Sequence, residues 1–584
     1  MESFLYAFFA CFAAVSAALV SAALHKGKNG DFLLLFRKRF LVCAGIVVLA
    51  AAAGRLLGGI RSGIVISVTP DAVEYYWGAL RLSCGERFGI TLNGVWYPSR
   101  YTPYFSLLLT PFVRLAGGEV WGAGVCSALA TLTVLGLLMF VLYKAQDLSA
   151  GVLAAGMILL YPGVIHCGNM ARQEPAYTAL LAGMFCLYLH AVRRGSLSRP
   201  VCLSYALLAA VCGALRCTGY GMLLPFLLLI LRDGSLKRPQ KIAALAAVIL
   251  PSLCAVCATA VFNGCVFGSP LRSGYHFHCP LPYEFPELLF SPGYIIDNLR
   301  HIVRFEARAG VMLPAAFAVT SVCALRILAS GRKSPETRLF LSAWLWCSLH
   351  LLYCVVLYLP HFYFAMRFFL PSGVFFMFLL GWSCRLLLEE TRADRDCAAF
   401  GAAAAGILFA AAGALDIPVD YAGREIAALR HCAKALPRDA VLIHDCDTGR
   451  AEIFFCRGTA RRQIPSDRSL GYAGLVGLSE KLKVKPRFPL SLDSQELSDF
   501  LKKAPGSVIF FPMVWENDAE EILRRYVDAP GGLFIMPGAF SKLSPERRNR
   551  LKKSYSWTYA GSAPQGDGVL ALKRKNAGNG RCAE

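Results

Sequence analysis

The stretch TPDAVEYYWGALRLSCGERFGITLNGVWYPSRYTPYFSLLL, from Thr69 to Leu109, is the first long polar segment of the chain. Apolar sequence of membrane grade lies on both sides of it. Its charges begin with Asp71 and Glu74, one helical turn apart, and the aromatic run Tyr75-Tyr76-Trp77 follows at once. It closes on Pro98–Pro103, which leads straight back into apolar sequence. Thr69-Pro70-Asp71 has the form of a helix opening, with acids near the positive end of the helix dipole. A carboxylate pair at i, i+3 shares one helix face, where one member can act as general base while the other tunes it or holds a metal. Ordinary helix capping would explain the same two acids. The Tyr and Trp beside them suit a membrane interface.

Working outward from this segment, the 584 residues are 56% hydrophobic, with a mean hydropathy of +0.50. Runs of about 20 apolar residues recur through the first 415 positions, each long enough for a ~30 Å hydrocarbon core. The fold class expected is a polytopic α-helical membrane protein; a transmembrane barrel would show short alternating strands instead. Candidate spans fall near 3–24, 41–60, 120–143, 149–167, 175–192, 201–216, 219–231, 241–263, 309–329, 338–359, 367–388 and 397–415, about 12 in all. The pair 201–216 and 219–231 is broken at Thr218-Gly219, as in a tight hairpin.

The segment PYFSLLLTPFVRLAG at 103–117 decides the topology. It is short and carries Pro111 and Arg114, so it is expected to lie in the interface or re-enter. With that choice the connectors HKGKNGDFLLLFRKR, YKAQD, RRGSLSRP, RDGSLKRPQK, SGRKSPETR and EETRADRD share one side. Nearly all are basic, which makes that side cytoplasmic. The opposite face then receives 61–119, 168–174, 264–308, 360–366 and everything after Asp416. The expected domains are a transmembrane part, 1–415, with its first outer loop at 61–119, and a soluble extracytoplasmic α/β domain, 416–584. In that tail, REIAALRHCAKAL has helical period, and AVLIHD, SVIFFP, LFIMP and VLALK are short strand-like runs.

The net charge of +22 sits mostly in the connectors, with the rest in solvated faces such as Arg547–Lys553, so nucleic acid is not an expected partner. The 22 cysteines lie mainly in apolar runs as small hydrophobes, and Cys254-x-x-Cys257 has no second pair. There is no G-x-G-x-x-G and no P-loop. The first apolar run has its positive charges after it, which marks it as a retained membrane helix.

Further candidates occur at other outer helix ends. Arg172-Gln173-Glu174-Pro175 precedes an apolar run, and a guanidinium there could hold a lipid-linked phosphate through paired hydrogen bonds. In His361-Phe-Tyr363-Phe-Ala-Met-Arg367-Phe-Phe-Leu-Pro371, the arginine stands at the start of an apolar helix. That is costly unless the charge is paired, snorkels or meets an anion. Arg100, beside Tyr101 and Tyr104, could join a phosphate site, and Arg216 could add an anion contact. His276, His278 and Glu284 could hold a cation or touch a sugar, but no second cluster completes a metal ligand set.

In order and spacing, these motifs resemble the GT-C class of polytopic glycosyltransferases that use lipid-phosphosugars. The resemblance is to the dolichyl-phosphate-mannose protein mannosyltransferases and their bacterial relatives, including the lipid A aminoarabinose transferase. Asp71 matches the loop acid of that class, Tyr97–Tyr104 its Pro-rich re-entry, Arg172–Pro175 the polar step before the next helix, and Met366–Pro371 the late Arg-x-x-x-Pro helix start. Two departures stand out: the acids are separated rather than adjacent, and a helix at 3–24 precedes the usual first one.

The resemblance implies inverting transfer of a sugar from a polyprenyl-phosphate donor to a glycan, lipid or protein acceptor at the outer face of a bacterial cell membrane. Asp71 would be the base, with Glu74 beside it. Arg172, Arg367 and Arg100 would hold the lipid phosphate, while Tyr75, Tyr76, Tyr101, Tyr104, Glu174 and Tyr363 would contact substrate. No cofactor is required by the sequence, and whether a divalent cation assists is left open. Two readings from other classes compete. A transporter or flippase for an anionic lipid or sugar would show paired halves with broken helices, and no such repeat is present. A non-catalytic scaffold leaves Asp71, Arg172 and Arg367 unexplained.

Overall fold

Apolar runs separated by Pro, Gly and charged connectors become helices, and their ends are set by local chemistry. The computed structural model describes 45–60, 70–145, 148–194, 197–277, 285–331, 334–357, 366–391, 426–465, 483, 508–511, 533–535, 544–560 and 569–574, apart from a few positions inside these ranges. The expected spans 3–24 and 397–415 lie outside the described residues. The chain divides into two compact units: 1–62, 123–262 and 281–418 form the first, and 63–122, 263–280 and 419–584 form the second.

The first unit is helical. Helices α3 (Trp121–Ala145), α4 (Leu148–Leu160), α5 (Pro162–Gly168), α6 (Gln173–Arg194), α7 (Arg199–Leu215), α8 (Leu223–Arg232), α9 (Arg238–Phe267), α10 (Tyr294–Phe305), α11 (Ala307–Ala329), α12 (Pro335–Val356) and α13 (Met366–Thr391) follow in chain order. Five of them, α3, α6, α9, α11 and α12, contain stretches long and apolar enough to cross a membrane, which makes this a polytopic membrane protein. Ser334 caps α12 by accepting from the Thr337 N–H, with Pro335 and Glu336 in its first turn.

The expected span 149–167 is in fact two helices. Tyr161 is extended ahead of Pro162, as the residue before a proline prefers, so α4 stops and α5 starts anew. The break expected at Thr218-Gly219 falls at Arg216, whose extended backbone ends α7. A 3-10 turn, Cys217–Met222, then leads into α8. Close packing needs small residues here. A Cβ on Gly381 of α13 would come within 2.9 Å of the Ala154 backbone in α4, and one on Gly373 within 2.4 Å of the Tyr161 ring.

The second unit begins with α1 (Pro70–Ser83), a hairpin of β1 (Ile90–Leu92) and β2 (Val95–Tyr97), and α2 (Tyr104–Leu115). The 12 residues of α2 rise only about 18 Å, too short to cross as a single helix. The β1–β2 loop is Asn93-Gly94, with φ of 49° and 79°. Both values are positive, as a two-residue type I′ turn demands, and Asn-Gly meets that demand well.

The C-terminal part of this unit is a six-stranded mixed sheet in the order β4-β3-β5-β6-β8-β7. Its strands are β3 (Val441–His444), β4 (Arg462–Pro465), β5 (Val508–Phe511), β6 (Leu533–Ile535), β7 (Tyr555–Ala560) and β8 (Val569–Arg574). Neighbours from β4 to β6 run parallel, while β8 is antiparallel to both β6 and β7. The strand-like runs at AVLIHD, SVIFFP, LFIMP and VLALK thus become β3, β5, β6 and β8. Strands β1, β2, β4 and β7 are additions. Leu429, Cys432, Leu442, Cys446, Phe455 and Cys456 form a core against β3.

The tip of the β1–β2 hairpin is hydrogen-bonded to this sheet. Asn93 Nδ2 donates to the Gln463 carbonyl at 2.7 Å, and the Gln463 N–H returns a bond to Asn93 Oδ1 at 2.8 Å. Gln463 Nε2 donates to Glu452 Oε2 at 2.5 Å, and His444 Nε2 meets Gln463 Oε1 at 2.9 Å. Burial pushes the Glu452 carboxyl up to about 7, against the opposing hydrogen bonds from Gln463 and Asn93.

A carboxyl whose pKa is raised on folding takes up protons in the folded state, so its stabilising contribution is present at low pH and lost as pH rises through about 7. Thermal unfolding followed from pH 5.5 to 8 should therefore show a falling melting temperature for the wild type, and a flatter profile for Glu452→Gln. An unchanged slope in the variant would remove Glu452 as its source.

Candidate active site

The expected site residues gather in two clusters, one within each unit. In the second unit, the opening of α1 places Glu74 against the Pro-rich strand that follows β2. Its carboxylate is enclosed by donors: Ser99 Oγ at 3.0 Å, the Arg100 N–H at 2.9 Å, and Arg100 Nε on the other oxygen. Glu74 and Arg100 form a buried ion pair. Burial opposes the Arg100 charge, but Glu74, Tyr101 and Asp71 together more than offset this, and the guanidinium is held protonated. The bonds of Glu74 make it the anchor of this loop, and the charge of Arg100 is met by it.

Aromatic rings complete the cluster. The Tyr75 and Tyr101 centroids are 4.7 Å apart, Phe105 meets Tyr75 edge-on at 4.9 Å, and Tyr275 lies 6.2 Å from Tyr101. Tyr275 belongs to the short 3-10 turn Gly274–Phe277, where the backbone comes so close that a Cβ on Gly274 would lie 2.5 Å from the Ser99 carbonyl. Asp71, half-buried in the first turn of α1, acts electrostatically on both Arg100 and Tyr101. Burial, then the Asp71 charge, raises the Tyr101 hydroxyl well above its ordinary value, so it stays a neutral donor beside the acid. Tyr104 is half-buried at the start of α2. Tyr76 points elsewhere, donating to the Gly118 carbonyl at 2.6 Å.

In the first unit, Glu174 in the first turn of α6 is buried and collects two arginines. Arg216 Nη2 reaches its carboxylate at 2.7 Å, and Arg367 Nε stands 4.0 Å from the same oxygen. Arg216 is presented by the extended residue between α7 and the 3-10 turn, and Arg367 by the second position of α13. Phe368 lies under both guanidiniums, 5.1 Å from that of Arg216 and 4.8 Å from that of Arg367. Tyr177 is 5.9 Å from Arg216, and its hydroxyl is 2.9 Å from that of Thr218. Arg172, just before α6, is 1% exposed, and Ser127 donates to its carbonyl. Arg216, Arg367 and Glu174 leave a formal excess of one positive charge among these three side chains.

Such a cluster can stabilise an anion in surroundings where each charge is felt strongly. Arg216, only a minor candidate by sequence, is central to it. Ser99 and Tyr275 were missed altogether: their signal is spatial, and only the proline-bounded stretch around Ser99 hinted at a constrained turn. Tyr363 and His278 lie outside the described residues, and His276 is described in its backbone alone. Among the described residues, no group of three His, Cys, Asp or Glu side chains is gathered to hold a metal ion.

No protein-family model matches the chain. No curated protein matches it in sequence. Solved structures do match in fold. The crystal structure of ArnT from Cupriavidus metallidurans bound to undecaprenyl phosphate aligns with a TM-score of 0.54 at 13% identity, covering 90% of this chain and 97% of that one. ArnT from the same organism in the apo state gives 0.52 at 13% identity, over 91% and 97%. The likeness inferred from the outer-loop motifs to the class of the lipid A aminoarabinose transferase is borne out at the level of the fold.

Replacing Glu74 by Gln leaves Arg100 buried without its counter-charge, at an expected cost of about 3–5 kcal/mol. The double variant Glu74→Gln, Arg100→Gln should recover part of this. Melting temperatures in detergent provide the measurement, and a neutral single variant would show that the pair contributes nothing.

Proposed function

We propose that the chain is a membrane glycosyltransferase that takes a sugar from a polyprenyl-phosphate carrier and passes it, with inversion, to an acceptor hydroxyl on the extracytoplasmic face. The observation that carries this reading is the fold likeness, over 90% of the chain, to an ArnT structure that holds undecaprenyl phosphate. The arginines around Glu174 support it, because a departing lipid phosphate needs fixed positive charge at the moment its own charge develops.

In this reading Asp71 accepts the proton of the acceptor hydroxyl. The oxygen attacks the anomeric carbon, and the bond from that carbon to the phosphate oxygen breaks. The electron pair leaves with the lipid phosphate, which Arg172, Arg216 and Arg367 hold. Glu74 and Arg100 shape the loop around Asp71, and Tyr75, Tyr101 and Tyr104 line the acceptor side. The chain crosses a bacterial cell membrane about twelve times, with the first outer loop and 416–584 outside.

Purified protein in lipid nanodiscs, given a panel of polyprenyl-phosphate sugars, should release lipid phosphate with at least one of them. Asp71→Asn should lower that rate about 100- to 10,000-fold without altering the melting temperature. Arg172→Glu and Arg367→Glu should weaken donor use. Full activity of the Asp71 variant would sink the base assignment.

A further inference from the structure

A second recess lies in the same unit as the outer loop but is built from side chains that the proposed transfer does not use. It is a cavity of about 410 Å³ between the C-terminal half of α1, the β1–β2 hairpin and the turn that runs from Glu452 to Arg462. That volume falls within the roughly 300–1,000 Å³ typical of small-molecule sites. Trp77 and Arg81, four residues apart on α1, and Cys84, just past its end, border the cavity.

The lining combines charge with an apolar wall. Arg81, Arg457, Arg461 and Arg462 oppose Glu86 and Glu452, a formal excess of two positive charges. Arg81 is paired with Glu86 at 3.1 Å. Arg461 donates to the carbonyls of Ala433, Leu436, Pro437 and Phe455, and Arg457 to that of Gly118 at 3.2 Å. Carbonyl acceptors fix these guanidiniums in place without cancelling their charge. The raised pKa of Glu452 weakens its offset further near neutral pH. Trp77, Leu80, Cys84 and Ala460 supply the apolar part of the lining. A bare inorganic anion leaves the apolar wall uncovered, and an uncharged sugar leaves the excess positive charge unmet. The hydrogen bonds from Asn93 to Gln463 hold the two sides together, so the site is preorganised.

We infer that this recess binds a saccharide unit carrying an anionic substituent, phosphate or carboxylate, its ring against the apolar part of the lining and its charge toward Arg457 and Arg462. The inference does not depend on the transfer reaction.

The test is calorimetric titration of the full chain in nanodiscs of neutral lipid, with no polyprenyl donor present. The probes are glucose 6-phosphate, glucuronate, glucose and inorganic phosphate. Saturable binding of glucose 6-phosphate or glucuronate is expected, at least about tenfold tighter than that of glucose or of inorganic phosphate. The two anionic sugars tell a phosphate from a carboxylate preference. Arg457→Gln and Arg462→Gln should each weaken binding about tenfold, Arg457→Lys less, and Asp71→Asn not at all. Arg462 is exposed on β4, so its variant should keep the wild-type melting temperature. Glucose binding as tightly as its anionic forms would overturn the charged part of the inference. Phosphate binding as tightly as glucose 6-phosphate would overturn the saccharide part. Absence of saturable binding by either anionic sugar, or Arg457→Gln and Arg462→Gln variants that both bind like the wild type, would overturn the assignment.

Discussion

A carboxylate withdrawn from water is tolerated only when donors replace its hydration, and this constraint organises both units. Glu174 is 3% exposed among apolar helices, and the chain meets it with Arg216 and Arg367. The two arginines come from helix boundaries: the break after α7 and the start of α13. Each is a point where the backbone is about to enter or has just left an apolar helix. The positions that carry charge are therefore also the positions that end helices. The second unit reaches the same solution on a loop, where Glu74 is met by Ser99 and by both the backbone and side chain of Arg100.

What could be read in the sequence is what depends on nearest neighbours. Apolar runs marked the other helices of the first unit but not α10, which lies in the expected outer loop 264–308, and the Pro at 162 and the extended Arg216 account for two places where a run and a helix differ. Short apolar stretches rich in Val, Ile, Leu and Phe marked β3, β5, β6 and β8. Strand β4, Arg-Gln-Ile-Pro, carries two polar residues and a proline, and so lacked that mark. The Asn93-Gly94 turn was legible by its own chemistry, yet its two short flanks were passed over as part of a polar loop. The pairing of Glu74 with Arg100 spans 26 residues, and that of Glu174 with Arg216 spans 42. No period or local pattern reports such pairs. Asp71 stood out as one of an i, i+3 acid pair and as the match to the loop acid; the structure places it in the first turn of α1, with electrostatic reach to Arg100 and Tyr101.

The fold is shared with ArnT at 13% identity, which is reasonable for a helical membrane protein. Lipid-facing and helix-packing positions ask mainly for apolar character and, at close crossings, for small size. Gly381 against Ala154 is such a crossing. Many sequences satisfy these demands, so the architecture can be alike where the letters differ.

The bond between Asn93 and Gln463 joins residues 370 positions apart in the chain. A ribosome exposes the hairpin tip early and its partner only after most of the chain has been made. Closing so long a loop carries an entropic cost that rises only slowly with length, so the delay is one of time more than of free energy. Until residue 463 emerges, the amide of Asn93 must be satisfied by water or by a chaperone. A truncation that removes the C-terminal sheet would therefore damage the first outer loop as well, although the loop itself would be intact in sequence.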